Sequence, residues 1–174
     1  VSQCGIFEYE GRFIMITDAA INIAPDVETQ IGIVENALPV ARALGVECPK
    51  VAVLSAVENV TDKMSSTVTA REIAERGVEG CVISGPLALD GAISMESVKH
   101  KAIKDPVAGQ ADILLVPFIE IGNVLYKACS YIAGKTMAST ICGASCPVII
   151  TSRADTPDSK YYSILMAVLR CLKA

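Results

Sequence analysis

The sequence predicts an α/β fold, a mostly parallel sheet with helices on both faces and a hairpin at its N-terminal end. Three observations predict it. Short unbroken apolar runs, such as Val51-Ala52-Val53-Leu54 and Ile113-Leu114-Leu115, read as strands buried on both faces. Stretches of helical periodicity separate those runs, which is the alternation that parallel sheets require. The residues are 52% hydrophobic with a mean hydropathy of +0.46, yet charged or turn residues interrupt every apolar stretch well short of the roughly 18 residues of a membrane span. The apolar content therefore belongs in a core, or against another domain or subunit.

The elements follow in order. Cys4–Tyr9 and Arg12–Thr17 flank the turn Glu10-Gly11 as a hairpin expected at an antiparallel edge of the sheet. Residues 18–25 form a loop of small and polar groups. Asp26 opens a helix patterned by Val27, Ile31, Val34, Ala37, Leu38, Ala41 and Leu44 that stops at Gly45, with Pro39 as a kink. Lys50–Ala56 is a strand, residues 57–68 a long polar loop, and Thr69 the cap of a short helix to Arg76. Gly80–Ser84 is the next strand, ended by Gly85-Pro86 and followed by helical segments at 87–93 and 95–103. The cluster Lys99, His100, Lys101 and Lys104 on the latter reads as a solvated face. Asp112–Val116 is a strand, 120–133 a helix, 137–142 and 147–151 two short strands, and Pro157 begins the last helix.

Composition excludes several functions. A net charge of −4 and scattered Lys and Arg give no basic stripe for nucleic acid. Seven cysteines, an odd number set mostly in apolar runs, read as reduced core thiols, and Cys142 and Cys146 have neither a second pair nor a nearby His to make a zinc site. No signal or transit peptide is visible, so the chain is expected in the cytoplasm. One His, no GxGxxG and no P-loop disfavour a hydrolase triad, nicotinamide chemistry and kinase-type transfer. No metal or resident cofactor is expected.

Ligands of such sheets gather at the carboxyl ends of strands. There the sequence places Thr17-Asp18, Ser55, Ser84-Gly85-Pro86, Pro117 with Glu120 and Asn123, and the turn Thr151-Ser152-Arg153-Ala154-Asp155-Thr156-Pro157-Asp158. Arg153 can grip a phosphate through its planar fork, beside the free N–H groups of the following helix. The same turn also reads as an ordinary helix start, with Thr156 as N-cap, Pro157 in the first position and Asp158 suiting the dipole.

Five ordered segments resemble one family. Thr17-Asp18-Ala19-Ala20-Ile21-Asn22-Ile23-Ala24-Pro25-Asp26 resembles the T-D-A-A-x-N-x-A-P-D of phosphate butyryltransferases, and Gly85-Pro86-Leu87-Ala88-Leu89-Asp90 their D-G-P-L-A-L-D. Pro106-Val107-Ala108-Gly109-Gln110-Ala111-Asp112-Ile113-Leu114-Leu115-Val116-Pro117 is similar to their P-V-A-G-x-A-D-I-L-L-V-P. Glu120-x-Gly122-Asn123-x-x-Tyr126-Lys127 and Thr151-Ser152-Arg153-Ala154-Asp155 are similar to motifs of the phosphate acetyl- and butyryltransferases.

The resemblance implies transfer of an acyl group between coenzyme A and phosphate, in a fold like that of isocitrate and isopropylmalate dehydrogenases. Coenzyme A is then a substrate, with acyl-CoA, phosphate and acyl phosphate as partners. It implies that Arg153 neutralises the phosphate, that Ser152 bonds the phosphate or the carbonyl oxyanion, and that a carboxylate takes the thiol proton. In the acetyltransferase motif two acidic residues follow the Ser-Arg pair. Here Asp158 matches the first and Ser159 stands at the second, so Asp158 and then Asp155 are the candidates for the base. Glu120, Gly122, Asn123, Lys127, Ser55, Gly85 and Pro86 are expected at the substrates. Glu120 and Asn123 read equally as first-turn caps, and Gly122 as a site of close backbone approach. Ser84 and Phe118 replace family aspartates.

Residues 1–146 are then expected to be the second, C-terminal domain of such a transferase, and 147–174 a strand and helix returning to a first domain largely missing from this chain. On that expectation the last helix has an uncovered apolar face (Tyr162, Leu165, Val168, Leu169), the chain alone has little activity, and the protein is a homodimer. A non-catalytic acyl-CoA-binding module is the alternative. A dehydrogenase would need a metal-binding carboxylate cluster that these residues do not offer.

Overall fold

The computed structural model describes residues 1–172, so the end of the 147–174 segment lies outside the described residues. Its strands are β1 (Ser2–Tyr9), β2 (Arg12–Thr17), β3 (Lys50–Leu54), β4 (Val82–Leu87), β5 (Ile113–Leu115) and β6 (Ala138–Cys142). Its helices are α1 (Val27–Ala43), α2 (Ser65–Arg76), α3 (Leu89–Ile93), α4 (Met95–Lys101), α5 (Ile119–Lys127) and α6 (Pro157–Leu172), with a π-helical turn over Ala128–Ile132 after α5.

The strands form one six-stranded sheet in the order β4-β3-β5-β2-β1-β6. β4, β3, β5 and β2 run parallel, and β1 is antiparallel to both β2 and β6. The hairpin is thus not an edge, as its sequence suggested. β1 has a second partner, β6, supplied from the far end of the chain.

Period-two alternation sends the strands' side chains into two cores. Met15, Val51, Val53, Ile113 and Leu115 pack with α1, α2 and Met166 of α6 on one face. Ile14, Ile16, Ala52, Leu54 and Leu114 pack on the other, with Ala92, Val107, Ala108, Leu125 and Tyr126. Helices therefore cover both faces, which is why the strands read as continuous apolar runs.

Several boundaries differ from the sequence reading for identifiable reasons. α2 begins at Ser65 rather than near Thr69, because the Thr67 hydroxyl closes the preceding turn with bonds to the Thr61 and Met64 carbonyls. β4 continues through Gly85 and Pro86 to Leu87, which proline permits because β4 is an edge strand. Residues 147–151 are not a strand, and only the bridge between Ile141 and Val148 forms. The outer edge of β6 is satisfied instead by side chains. Ser139 N–H donates to Ser163 Oγ at 2.9 Å, Ser139 Oγ to the Ile150 carbonyl at 3.2 Å, and Arg170 Nη1 to the Ile141 carbonyl at 2.8 Å. Of the cysteines, Cys4 and Cys142 are buried as expected, but Cys48, Cys146 and Cys171 are exposed. Lys101 is not free in solvent, since its ammonium binds Glu58 and Asp90.

α6 lies on β6 and α1 through Ser163, Met166 and Ala167, and its Tyr161, Tyr162, Ile164, Leu165 and Val168 stay exposed. Leu169 is partly buried against the core. No helix among the described residues is long and apolar enough to cross a membrane.

Candidate functional site

The loop after β2 is built around one carboxylate. Asp18, 2% exposed, accepts hydrogen bonds from the backbone N–H groups of Gln3, Ala20, Ile21 and Asn22 and from the Asn22 amide, at 2.6–3.2 Å. A charged acceptor holding consecutive amides fixes the loop as a rigid lip at the carboxyl end of β2. α5 packs directly against that lip. A Cβ on Gly122 would lie 2.6 Å from the Asp18 carbonyl oxygen, so only glycine allows the approach. Asn123 Nδ2 then reaches the Ala19 carbonyl at 3.3 Å.

One turn further along α5, the Tyr126 ring lies on β1 over Gly5, where a Cβ would meet the ring at 2.5 Å. The Tyr126 phenol is pushed up to about 12, first by burial and then by the nearby charge of Asp155, against a side-chain hydrogen bond with Ser139.

The segment after β6 closes the opposite side. Asp155 Oδ2 accepts the Ser152 N–H at 2.7 Å, the Asp155 N–H donates to the Ser152 carbonyl at 3.1 Å, and the Ala154 N–H donates to Ser152 Oγ at 3.3 Å. The turn is thus wound on itself, with Ser152 and Asp155 adjacent. Thr156 caps α6 as expected, its Oγ1 accepting the Ser159 N–H at 3.1 Å. Ser159, at the position where the motif has its second acid, is buried and occupied with the cap and with Ser163.

These pieces enclose a cleft of about 360 Å³ at the carboxyl ends of β2 and β6. Its lip is Ala19, Ala20 and Ile21, one wall is Asn123, Tyr126 and Lys127, and the other is Ile150, Thr151, Ser152 and Asp155. Gln3, Ser139 and Ile141 line it from the sheet. Four of the residues singled out in the sequence, Asn123, Lys127, Ser152 and Asp155, therefore meet in one place.

The others lie elsewhere. Arg153 and Asp158 are exposed beside the cleft without lining it, Glu120 is exposed in the first turn of α5, and Gly122 is buried behind the lip. Ser55 bonds Ser66 at 2.8 Å at the end of β3, and Gly85 and Pro86 are buried inside β4, two strands or more from β2. Glu120 and Asn123 do not cap α5 with their side chains. Phe118, at the position where the resembled motif has an aspartate, stands at the N-cap with extended backbone and no side-chain capping bond. Ser84, the other replacement, bonds Asp105.

Tyr126 and Gln3 were not singled out, and Asp18 was named only among the polar groups at strand ends. Asp18 and Tyr126 stood inside quoted motifs. Gln3 had a weaker signal, a polar residue on an inward-facing strand position.

Among the described residues no group of three or more His, Cys, Asp or Glu is placed to hold a metal ion. The cleft has a carboxylate, Asp155, for proton transfer, a hydroxyl, Ser152, for an oxyanion, and a cation, Lys127, for an anion, while Arg153 is a second cation that does not line it.

Known proteins resemble the chain over most of its length. The chain is 48% identical over 161 residues to a probable phosphate butyryltransferase of Bacillus subtilis, covering 90% of this chain and 54% of the relative. It is 43% identical over 162 residues to a phosphate acetyltransferase of Thermotoga maritima, covering 91% of this chain and 55% of that one. A solved branched-chain phosphotransacylase from Enterococcus faecalis superposes with a TM-score of 0.93 at 41% identity, over 99% of this chain and 64% of its own. The chain spans little more than half the length of the curated relatives it matches. The profile of the family described as phosphate acetyl/butaryl transferase matches residues 1–168, and the chain belongs to that family.

Proposed function

We propose that the protein containing this chain transfers a short acyl group, butanoyl first among them, between coenzyme A and phosphate. The observation that carries the reading is the meeting of Ser152 and Asp155 with Asn123 and Lys127 in one cleft. On this reading Asp155 is the base. It lines the cleft and one of its oxygens is spent on the Ser152 N–H, whereas Asp158 lies outside. On this proposal Asp155 stands ahead of Asp158 as the candidate base.

In the direction of acyl-CoA synthesis, Asp155 takes the thiol proton. The thiolate sulfur forms a bond to the acyl carbon, the carbon–oxygen bond to phosphate breaks, and phosphate leaves with the electron pair. The proton passes from Asp155 to the phosphate. The Ser152 hydroxyl and Lys127 stabilise the oxyanion that develops between these events. Arg153 holds the phosphate from the rim. The apolar face of α6 is then the surface on which the remaining part of a relative-length protein packs.

The test is coenzyme A release from butyryl-CoA by the intact protein, with and without phosphate. Phosphate-dependent release, lost in Asp155→Asn by about 10²-fold or more and kept in Asp158→Asn, is expected. Release without phosphate dependence refutes the activity, and the reverse order of the two variants refutes the assignment of the base.

A further inference from the structure

Gln3 breaks the pattern of its strand. β1 is paired on both sides, and its face toward the cleft carries Gln3, Gly5 and Phe7, with Gln3 opposite Ile141 and Gly5 opposite Ser139 on β6. Such interior positions are normally apolar. Gln3 is 6% exposed and its Oε1 finds no hydrogen-bond partner among the described residues. Its backbone cannot move to relieve this. The Gln3 N–H is held by Asp18 at 3.2 Å and its carbonyl by the Thr17 hydroxyl at 3.0 Å.

A buried acceptor without a donor is costly, and sites that keep one commonly satisfy it with a ligand. The side chain lies on the floor of the same cleft as Ser152 and Asp155. The terminal torsion of glutamine is broad and roughly two-fold, so a small swing turns its oxygen toward a bound molecule.

The chemistry of the reactants selects which molecule. An acyl carbonyl offers only acceptors, which an unpaired acceptor cannot use, and phosphate, which keeps an O–H near neutrality, is assigned on this reading to Arg153 at the rim. The thiol proton is taken by the base. The remaining donor nearest the sulfur is the amide N–H of the pantetheine arm, two carbons away.

Resting on the acyltransferase reading, we propose that Gln3 is a coenzyme A-recognition residue whose carboxamide oxygen accepts the pantetheine amide N–H nearest the thiol. It sets the depth at which the sulfur reaches Asp155, and it makes the cleft select an amide-bearing thiol.

Two measurements on the intact protein test this. Calorimetric titration of Gln3→Met should weaken coenzyme A by about 10- to 100-fold. Binding of 3′,5′-ADP, which lacks the arm, and the KM for phosphate should be unchanged. The thermal midpoint should hold or rise, because an apolar side chain of similar shape replaces an unpaired amide. A structural role would instead lower the midpoint and weaken all three ligands together, and that result overturns the proposal. So does unchanged coenzyme A affinity with a lower kcat, which would place the carboxamide on the acyl carbonyl.

The second measurement needs no variant. The unaltered protein should bind pantetheine at least about tenfold more tightly than its analogue methylated at that amide nitrogen. Equal affinity overturns the inference alone. Absence of both coenzyme A binding and phosphate-dependent transfer overturns the acyltransferase reading and the inference with it.

Discussion

Replacing Gly122 by alanine separates the cleft's geometry from the stability of the fold. The new Cβ would lie 2.6 Å from the Asp18 carbonyl oxygen, 2.9 Å from Ala19 Cα and 2.9 Å from Val116 Cγ2. Ordinary contact begins near 3.4 Å, so α5 must retreat from the lip by about 0.8 Å. Two of the three obstacles are backbone atoms, which no rotamer change can clear. Overpacking of this kind costs about 1–3 kcal/mol. Alanine returns about 1 kcal/mol of helix propensity. Because the lip is pinned by Asp18, the strain should win, with a net loss of up to about 2 kcal/mol. Function should suffer more. Asn123, Tyr126 and Lys127 ride on the displaced helix, and a misplacement approaching 1 Å can cost about 10²-fold in rate. Urea denaturation gives the first quantity and phosphate-dependent coenzyme A release the second. An alanine variant with wild-type midpoint and turnover refutes the close-approach argument. A destabilised variant with unchanged kcat refutes the claim that the lip positions the wall.

Three further outcomes are expected. Arg153→Ala should raise the KM for phosphate by about 10- to 100-fold while leaving coenzyme A binding and the midpoint alone, since the side chain is exposed and forms no ion pair among the described residues; equal loss of both ligands would mean misfolding. Phe118→Asp should raise stability by about 1 kcal/mol in denaturation, because the N-cap position already has extended backbone and lacks only an acceptor; an unchanged midpoint counts against it. In alkaline absorbance titration one tyrosine should ionise near 12 and vanish in Tyr126→Phe. Burial raises this phenol above its ordinary value of 10, so its contribution to stability is complete below pH 10 and lost as the pH climbs through 12. A stability profile of Tyr126→Phe that parallels the wild type through that window would contradict the assignment.

Much of the fold was legible because burial on both faces leaves a local trace. Val51–Leu54 and Ile113–Leu115 are apolar at every position, and α1 carries its periodicity, its Asp26 cap and its terminating glycine in one stretch. Boundaries failed where a distant group made the difference. The 147–151 segment has strand-like residues, yet the edge it would pair with is occupied by Ser163 and Arg170 of α6. The motifs were legible too, but their roles were not. Ser152-Arg153 and Asp158 share one turn in sequence, and in space Ser152 and Asp155 enter the cleft while Arg153 and Asp158 stay outside it.

By itself the sequence determined the α/β class, most of the elements and the family's chemical vocabulary, because periodicity, capping and short motifs are properties of neighbouring residues. Only the tertiary structure decided that β1 lies inside the sheet, that Gly122 brings α5 onto the Asp18 lip, and that Asp155 rather than Asp158 lines the cleft. The physical reason is the same in each case. Pairing, close approach and exposure depend on which remote backbone atoms arrive at a position, and no local pattern records that.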